Sequence, residues 1–321
     1  MLFYAISPVK VITAEVRSNL LEGDGVIQRQ DGRASERKCD TTTETEIDYV
    51  TLLNRVLPRD IVVLAWCPVS QDFSARFSCV RRTYKYYFPQ ADLDLARMQE
   101  AASLLCGTHD FRNLCKMDVL NGVTKFVRRI EKAEVRTIDD HDALSGFRMC
   151  ELTITGNAFL YHQIRSIVCI LFLIGRGEET VSVVTDLLDV ERNPRKPQYT
   201  IASGLPLVLF DCEFPDLTWR YVDQQSTLAR LQLVWSENTI RATIAKQMHD
   251  SVEAQCRNDH PAFEPVRAQL CGVQLERVRG KPLLKRQKAP SLDDKIEAAL
   301  KKQKLRQIIV NKPVAAAASS S

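Results

Sequence analysis

The stretch Phe159 to Gly175, F-L-Y-H-Q-I-R-S-I-V-C-I-L-F-L-I-G, constrains the fold more than any other part of the chain. As a helix it is apolar almost all round, so it must be enclosed on nearly every side. Its longest apolar run, Ile167 to Ile174, is eight residues bracketed by Arg165 and Arg176, well short of the roughly 20 residues that a membrane span needs. It therefore reads as the buried helix of a globular domain. One polar stripe interrupts it: His162, Arg165, Ser166 and Cys169 fall at i, i+3, i+4 and i+7. A buried guanidinium without a partner costs on the order of several kcal/mol, so Arg165 is expected to face a carboxylate or a phosphate. From this helix alone, a structural ion pair and a catalytic role are both open.

A second segment, Phe73 to Phe88, threads Arg76, Arg81, Arg82 and Lys85 through six aromatic rings. Read as a strand, Arg82 to Phe88 puts Arg82, Tyr84, Tyr86 and Phe88 on one face and Thr83, Lys85 and Tyr87 on the other. A ring on such a surface can stack on an unstacked base while cations hold phosphate. An aromatic strand with basic residues at its edge is the plainer alternative.

The 321 residues, 45% of them hydrophobic, suffice for a sizeable core, and a net charge of +4 permits nucleic acid without requiring it. Ten scattered cysteines with no C-x-x-C pair suit reduced thiols in an intracellular protein better than a disulfide framework. Cys106, His109 and Cys115 lie close in sequence, but no second ligand pair of zinc-site spacing follows, so no metal is expected.

Along the chain, strands are expected at Val9 to Arg17, Ile61 to Trp66, Phe126 to Thr137, Met149 to Thr155 and, as a last buried strand, Leu205 to Cys212. Helices are expected at Tyr49 to Val56, Leu93 to Cys106 with Asp92 or Asp94 as N-cap and Gly107 as C-cap, Glu179 to Asp189, and an amphipathic Leu228 to Met248. The polar segment 18–46 reads as a long mobile loop. The compact domain is expected over 1–248, followed by a basic tail, 249–321, with a capped Lys-rich helix near 291–306 begun by Ser291-x-x-Asp294.

Five ordered strings carry a resemblance: L-N-R-V-L-P-R-D-I (Leu53 to Ile61), A-R-F-S with R-x-Y-K-Y (Ala75 to Tyr86), G-T-H-D-F-R-N (Gly107 to Asn113), F-L-Y-H-Q-I-R-S-I-V (Phe159 to Val168) and G-L-P-L (Gly204 to Leu207). Together they resemble the tRNA pseudouridine synthase A (TruA) family from about Val9 to Trp219. The fuller H-D-F-R-N-L-C-K-M-D (His109 to Asp118) and N-P-x-K-P-Q-Y (Asn193 to Tyr199) are similar to its eukaryotic branch, which modifies tRNA positions 38 and 39. The resemblance implies an α+β pseudouridine synthase fold, two ferredoxin-like halves sharing a mostly antiparallel sheet. It also implies an isomerase without cofactor or metal, acting on the tRNA anticodon stem-loop in the nucleus, the cytoplasm or both, with no membrane partner and with homodimerisation. By the same resemblance Tyr84 receives the extruded base and helps move its C5 proton, and Arg165 fixes the catalytic aspartate. Leu205 and Leu207 form the apolar wall, and Arg76, Arg82 and Lys85 contact phosphate.

The family's G-R-T-D-x-G-V loop, which carries the aspartate, has no counterpart in this sequence, so the N-terminal half is expected to be incomplete and the chain itself inactive. Asp24, Asp31, Asp60 and Asp110 read as turn or capping residues rather than substitutes. A non-catalytic RNA-binding protein is the rival reading.

Overall fold

A computed structural model describes residues 2–6, 10–20, 23, 25–26, 45–138, 148–255 and 280–310. Two sheets are present. The smaller has the order β2-β1-β3, from β1 (Leu2–Ile6), β2 (Lys10–Thr13) and β3 (Val62–Cys67), with both pairings antiparallel. The larger has the order β5-β6-β7-β4-β8, from β4 (Arg81–Pro89), β5 (Gly107–Asp110), β6 (Val127–Thr137), β7 (Met149–Gly156) and β8 (Leu207–Glu213). Its β5–β6 and β6–β7 pairs are antiparallel. The helices are α1 (Tyr49–Val56), α2 (Leu95–Ser103), α3 (Gln163–Gly175), α4 (Val183–Leu188), α5 (Gln224–Glu253) and α6 (Leu292–Val310). The class is α+β, as the resemblance implies. Among the described residues no helix is long and apolar enough to cross a membrane.

The chain forms two compact units, residues 1–85 with 208–262 and residues 86–207 with 263–321.

In the first unit, α1 lies on β3 because Asn54 copies a strand neighbour. Its amide donates to the Val63 carbonyl (2.9 Å) and its oxygen accepts from the Val63 N–H (2.8 Å). Tyr49 and Trp66 meet edge to face at 5.0 Å beneath that contact, within a small core that includes Val50 and Val63. Arg220 lies over the Trp66 ring at 4.7 Å, and the two backbones exchange hydrogen bonds. Arg230 of α5 donates to the carbonyls of Asn54, Leu57 and Pro58, which satisfies the end of α1. Both edges of the 18–46 segment meet Glu46: the Ser18 hydroxyl and the Asn19 N–H donate to its carboxylate at 2.6 and 3.0 Å. Most of that segment lies outside the described residues, Asp24 and Asp31 included.

The second unit holds the main core. Cys150, Leu152 and Ile154 line one face of β7 as their alternation predicts, all at most 2% exposed. Tyr86 and Phe88, at the trailing end of β4, pack edge to face on Phe172 of α3 at 6.1 and 5.2 Å. Asp94, not Asp92, caps α2 by accepting from the Ala96 and Arg97 N–H groups. Gly107 opens β5 instead of closing α2, whose C-cap is Leu104.

Two expectations need correction. α3 starts at Gln163 rather than Phe159, because His162 sits in the left-handed region (φ 61°) and Leu160 turns back to donate to the Gln163 side chain at 2.8 Å. β8 is not a buried strand: every residue from Leu207 to Glu213 keeps solvent exposure.

Candidate functional site

In the first unit the expected RNA-facing residues gather at the leading end of β4. The turn before it is closed on itself: the Ser78 N–H donates to the Ser74 carbonyl (2.8 Å) and the Ser74 N–H to the Ser78 hydroxyl (3.1 Å). That turn holds Arg76 and Phe77 in solvent, with the guanidinium 5.4 Å from the ring centroid. Arg82 reaches back to donate to the Arg76 carbonyl. Tyr84, on the same strand face as Arg82, is half-buried, and burial pushes its hydroxyl up while the Arg82 charge partly offsets this. The phenol therefore stays protonated at neutral pH. Lys85 points to the other face, where its ammonium lies 4.0 Å over the Phe210 ring. The structure thus brings Arg76, Arg82 and Tyr84 together and separates Lys85 from them.

The same strand face changes character along its length. Arg82 and Tyr84 are half-exposed, whereas Tyr86 and Phe88 are sealed in the core. Tyr84 stands on a strand anchored two and four residues further on.

In the second unit every residue of α3 is buried except Arg165. Ser166 and Cys169, the rest of the polar stripe within the helix, lie inside with the apolar residues. The expected carboxylate partner of Arg165 is not there: among the described residues its guanidinium donates from Nε to the Ala202 carbonyl at 2.6 Å. Ala202 answers with its own N–H on the Arg165 carbonyl at 3.1 Å. One neutral acceptor leaves the two terminal nitrogens available for an anion. Nη1 lies near Gly204, the first residue of G-L-P-L, where an added Cβ would make an ordinary contact with it at 3.5 Å. Leu205 beside it is 83% exposed, and Leu207 is half-exposed with its N–H on the Gly204 carbonyl (3.3 Å).

His162, which caps α3, stacks on Tyr161 at 3.8 Å. Burial, then the charges of Arg165, Lys116 and Lys196, hold its imidazole below the ordinary range, so it is neutral at neutral pH.

The structure also shows an interlock whose parts the sequence presented only as two motif strings. Asn113, fully buried, donates its amide to the carbonyls of Leu187 (3.1 Å) and Asn193 (2.7 Å). The Tyr199 hydroxyl donates to the Asn113 carbonyl at 2.6 Å, and burial raises that hydroxyl well above the usual range. Lys196 donates to the Cys115 carbonyl at 2.8 Å and lies over the Tyr199 ring at 4.2 Å. Burial lowers its ammonium to about 8. H-D-F-R-N-L-C and N-P-R-K-P-Q-Y are thus two sides of one joint that ends at Ala202. The available signal was a polar residue in an otherwise apolar F-x-N-L-C string.

Asp110 has a local structural role: it accepts from the Arg112 N–H (2.9 Å) and pairs with the Arg112 guanidinium at 2.6 Å. Asp60 is exposed in its turn. Among the described residues no group of three His, Cys, Asp or Glu side chains could hold a metal ion. His109 meets the Cys106 carbonyl at 2.9 Å instead. Among the described residues, cysteines 67, 79, 106, 115, 150, 169 and 212 take part in no disulfide.

Comparison with known proteins bears on this arrangement. Residues 101–215, which hold α3, the Asn113 joint and the G-L-P-L turn, match the family model described as tRNA pseudouridine synthase. The chain is 40% identical over 310 residues to the tRNA pseudouridine(38/39) synthase of Bos taurus, covering 90% of this chain and 63% of that protein. It is 39% identical over 314 residues to the Homo sapiens protein of the same name, with the same coverage of each. With the Saccharomyces cerevisiae protein of that name it is 39% identical over 212 residues, 66% of this chain and 44% of the relative. The chain therefore spans between 44% and 63% of the length of these relatives. The family match falls on the elements that hold Arg165, and similarity at this level to proteins named tRNA pseudouridine(38/39) synthase runs through nearly all of the sequence.

Proposed function

We propose that this chain belongs to an isomerase that converts uridine to pseudouridine at positions 38 and 39 of the tRNA anticodon stem-loop, working inside the cell in the nucleus, the cytoplasm or both. The observation that carries this reading is the 40% identity, across 90% of the chain, to an enzyme named tRNA pseudouridine(38/39) synthase. The site geometry supports it. Isomerisation breaks the N1–C1′ bond, rebuilds it at C5 and releases the C5 proton, so the base must leave its stack and be held while it turns.

In this reading Tyr84 supplies the ring on which the base stacks, on a strand whose next same-face residues are locked in the core. Its protonated hydroxyl can donate to a uracil carbonyl. Arg76 and Arg82, joined through the Arg76 carbonyl, serve the flanking phosphates on the Tyr84 face, and Lys85 serves a phosphate from the opposite face. Arg165 offers its terminal nitrogens to the carboxylate of a nucleophilic aspartate, with Leu205 and Leu207 excluding water beside it. The binding partner is tRNA, and a homodimer is the proposed assembly.

The test uses tRNA carrying tritium at uridine C5, with tritium release and filter binding followed on the same RNA. The 321 residues contain no G-R-T-D string. Release above background supports the isomerase reading for this chain and directs mutagenesis to its own aspartates. Binding without release supports the RNA-binding reading, and failure of both refutes the assignment of tRNA as partner.

A further inference from the structure

The segment from Lys281 to Leu300, expected as part of a tail, is built into the second unit. Leu283 is fully buried, and its N–H donates to the carboxylate of Glu179, itself 9% exposed. The capping box forms as its sequence predicts: the Asp294 N–H donates to the Ser291 hydroxyl (3.1 Å) and the Ser291 N–H to the Asp294 carboxylate (2.9 Å). Asp294 also pairs with Arg195 at 3.4 Å. Between these anchors, Gln287 to Ala289 runs antiparallel to Lys196 to Gln198. The Gln198 N–H donates to the Gln287 carbonyl and the Ala289 N–H to the Lys196 carbonyl, both at 2.8 Å, across a Pro197–Lys288 bridge. Pro197 sits in the non-hydrogen-bonded pair, where a backbone N–H would point away from Lys288, so its missing N–H costs the bridge nothing.

The strand clamped in this way is the one that ends on Arg165. Its inner side is pinned by the Tyr199 hydroxyl on Asn113, its outer side by Gln287 and Ala289, and four residues past Gln198 the Ala202 carbonyl takes the Arg165 Nε–H. We propose that residues 281–300 are a positioning element for Arg165: by clamping Lys196 to Gln198 they fix the Ala202 carbonyl, and so the direction in which the guanidinium presents its terminal nitrogens. The clamp itself stands on hydrogen bonds within one unit. Its catalytic consequence rests on the isomerase reading above, and the two are tested by separate readouts.

The first readout needs no RNA. In the full chain labelled with 15Nε-arginine, the Arg165 Nε–H signal is identified by its loss in Arg165→Lys, and its exchange with solvent is measured. Ala289→Pro removes the N–H that holds the Lys196 carbonyl, and Lys288 before it is already extended. Exchange at Arg165 is expected to accelerate about tenfold, the loss of roughly 1.4 kcal/mol of protection. The Nε–H of Arg136, bonded to Glu151 at 2.6 Å in the same unit, is expected to stay unchanged. Ala289→Gly keeps the N–H and should restore wild-type exchange. Unchanged exchange at Arg165 would mean that Tyr199 alone sets the strand, which overturns the proposal. Equal acceleration at Arg165 and Arg136 would mean general loosening, which overturns it too.

The second readout is single-turnover tritium release with saturating tRNA. Ala289→Pro should slow it about tenfold with tRNA binding kept, and should add no further loss in an Arg165→Lys background. If the exchange result holds while wild type releases no tritium, the clamp stands and the isomerase reading of this chain fails. If wild type releases tritium and Ala289→Pro releases it at the same rate, the clamp has no catalytic role and that part of the proposal falls.

Discussion

α3 and α5 are both rich in aliphatic side chains, yet one disappears into the protein and the other stands in water. Every residue of α3 but Arg165 is buried, whereas α5 leaves Leu228, Trp235, Ile240, Ile244, Met248 and Val252 more than half exposed. The difference is not one of composition alone. In α3 the apolar residues run without a break from Ile167 to Ile174, so no face remains for solvent. In α5, expected to be amphipathic over Leu228 to Met248, they are instead spread around the axis between charges and amides, so no single face can be buried well. In its first turns Thr227 is buried and Arg230 holds the end of α1. An enclosed helix can hold an arginine at a set angle, because its neighbours on every side fix its rotation.

The sharpest way to break this comparison is to hollow out the enclosed helix. Phe172 carries both Tyr86 and Phe88 on its ring edges, so Phe172→Ala removes the contact that fixes the trailing end of β4. A loss of about 3–5 kcal/mol is expected, the range for a large aromatic truncated in a packed core. Urea denaturation followed by intrinsic fluorescence measures it, and a loss under 1 kcal/mol would mean that α3 is not the centre of the core.

Asn113→Ala probes the joint that supports Arg165 from behind. It strips the donors from the buried Leu187 carbonyl and the part-buried Asn193 carbonyl, at a cost of about 2–3 kcal/mol. The same denaturation experiment reads it. Asn113→Asp keeps the shape but removes the donors, and should be at least as damaging, because it also places an unpaired charge in the core.

These two sites differ in how much of them could be read from the sequence. The α3 core was legible because an unbroken apolar run has one physical solution, and the β7 alternation and the Asp94 and Ser291 caps were legible because each is a local rule. The start of α3 was not, since nothing in F-L-Y-H announces that His162 will take a positive φ. The partner of Arg165 was not legible either: a backbone carbonyl 37 residues away leaves no mark in composition. The burial of β8 was misjudged because a hydrophobic string of strand length states a preference for cover without saying whether cover is supplied. The clustering of Arg76, Arg82 and Tyr84 was partly visible from period two, whereas the return of Arg82 to the Arg76 carbonyl depends on a turn that only the fold closes.

Lys196 gives the joint a pH signature. Burial lowers its ammonium from the ordinary 10.5 to about 8 in the folded protein. Between these values the unfolded chain binds more protons than the folded one, so stability rises with pH across that window. Below about 8 the cost of burying the charge is present in full. Buried thiols act in the opposite sense above pH 9, since burial raises Cys115 to about 12 and its proton is retained on folding. The difference in stability between wild type and Lys196→Met removes those shared contributions. That difference is expected to move in favour of wild type from pH 8 to 9.5 and to be flat from pH 6 to 7. A flat profile throughout would mean that Lys196 is solvated rather than enclosed between Cys115 and Tyr199.

The smallest effect is expected on α5, and its size matters most for how the comparison is read. Trp235 is 70% exposed and Met248 67% exposed, so Trp235→Gln and Met248→Gln should each shift stability by no more than about 0.5 kcal/mol. Arg230→Ala, by contrast, frees the carbonyls at the end of α1 and should cost about 1–2 kcal/mol. If the glutamine variants lose more than 1 kcal/mol at every protein concentration, the outer turns of α5 are packed within the chain, and the contrast with α3 collapses. If the loss appears only at high protein concentration, the free chain has been compared with an assembled one, because partner binding adds stability by mass action. The exposed aliphatics of α5 would then be the surface on which the proposed homodimer forms, and the difference between the helices would be one of when each is buried: α3 on folding, α5 on association.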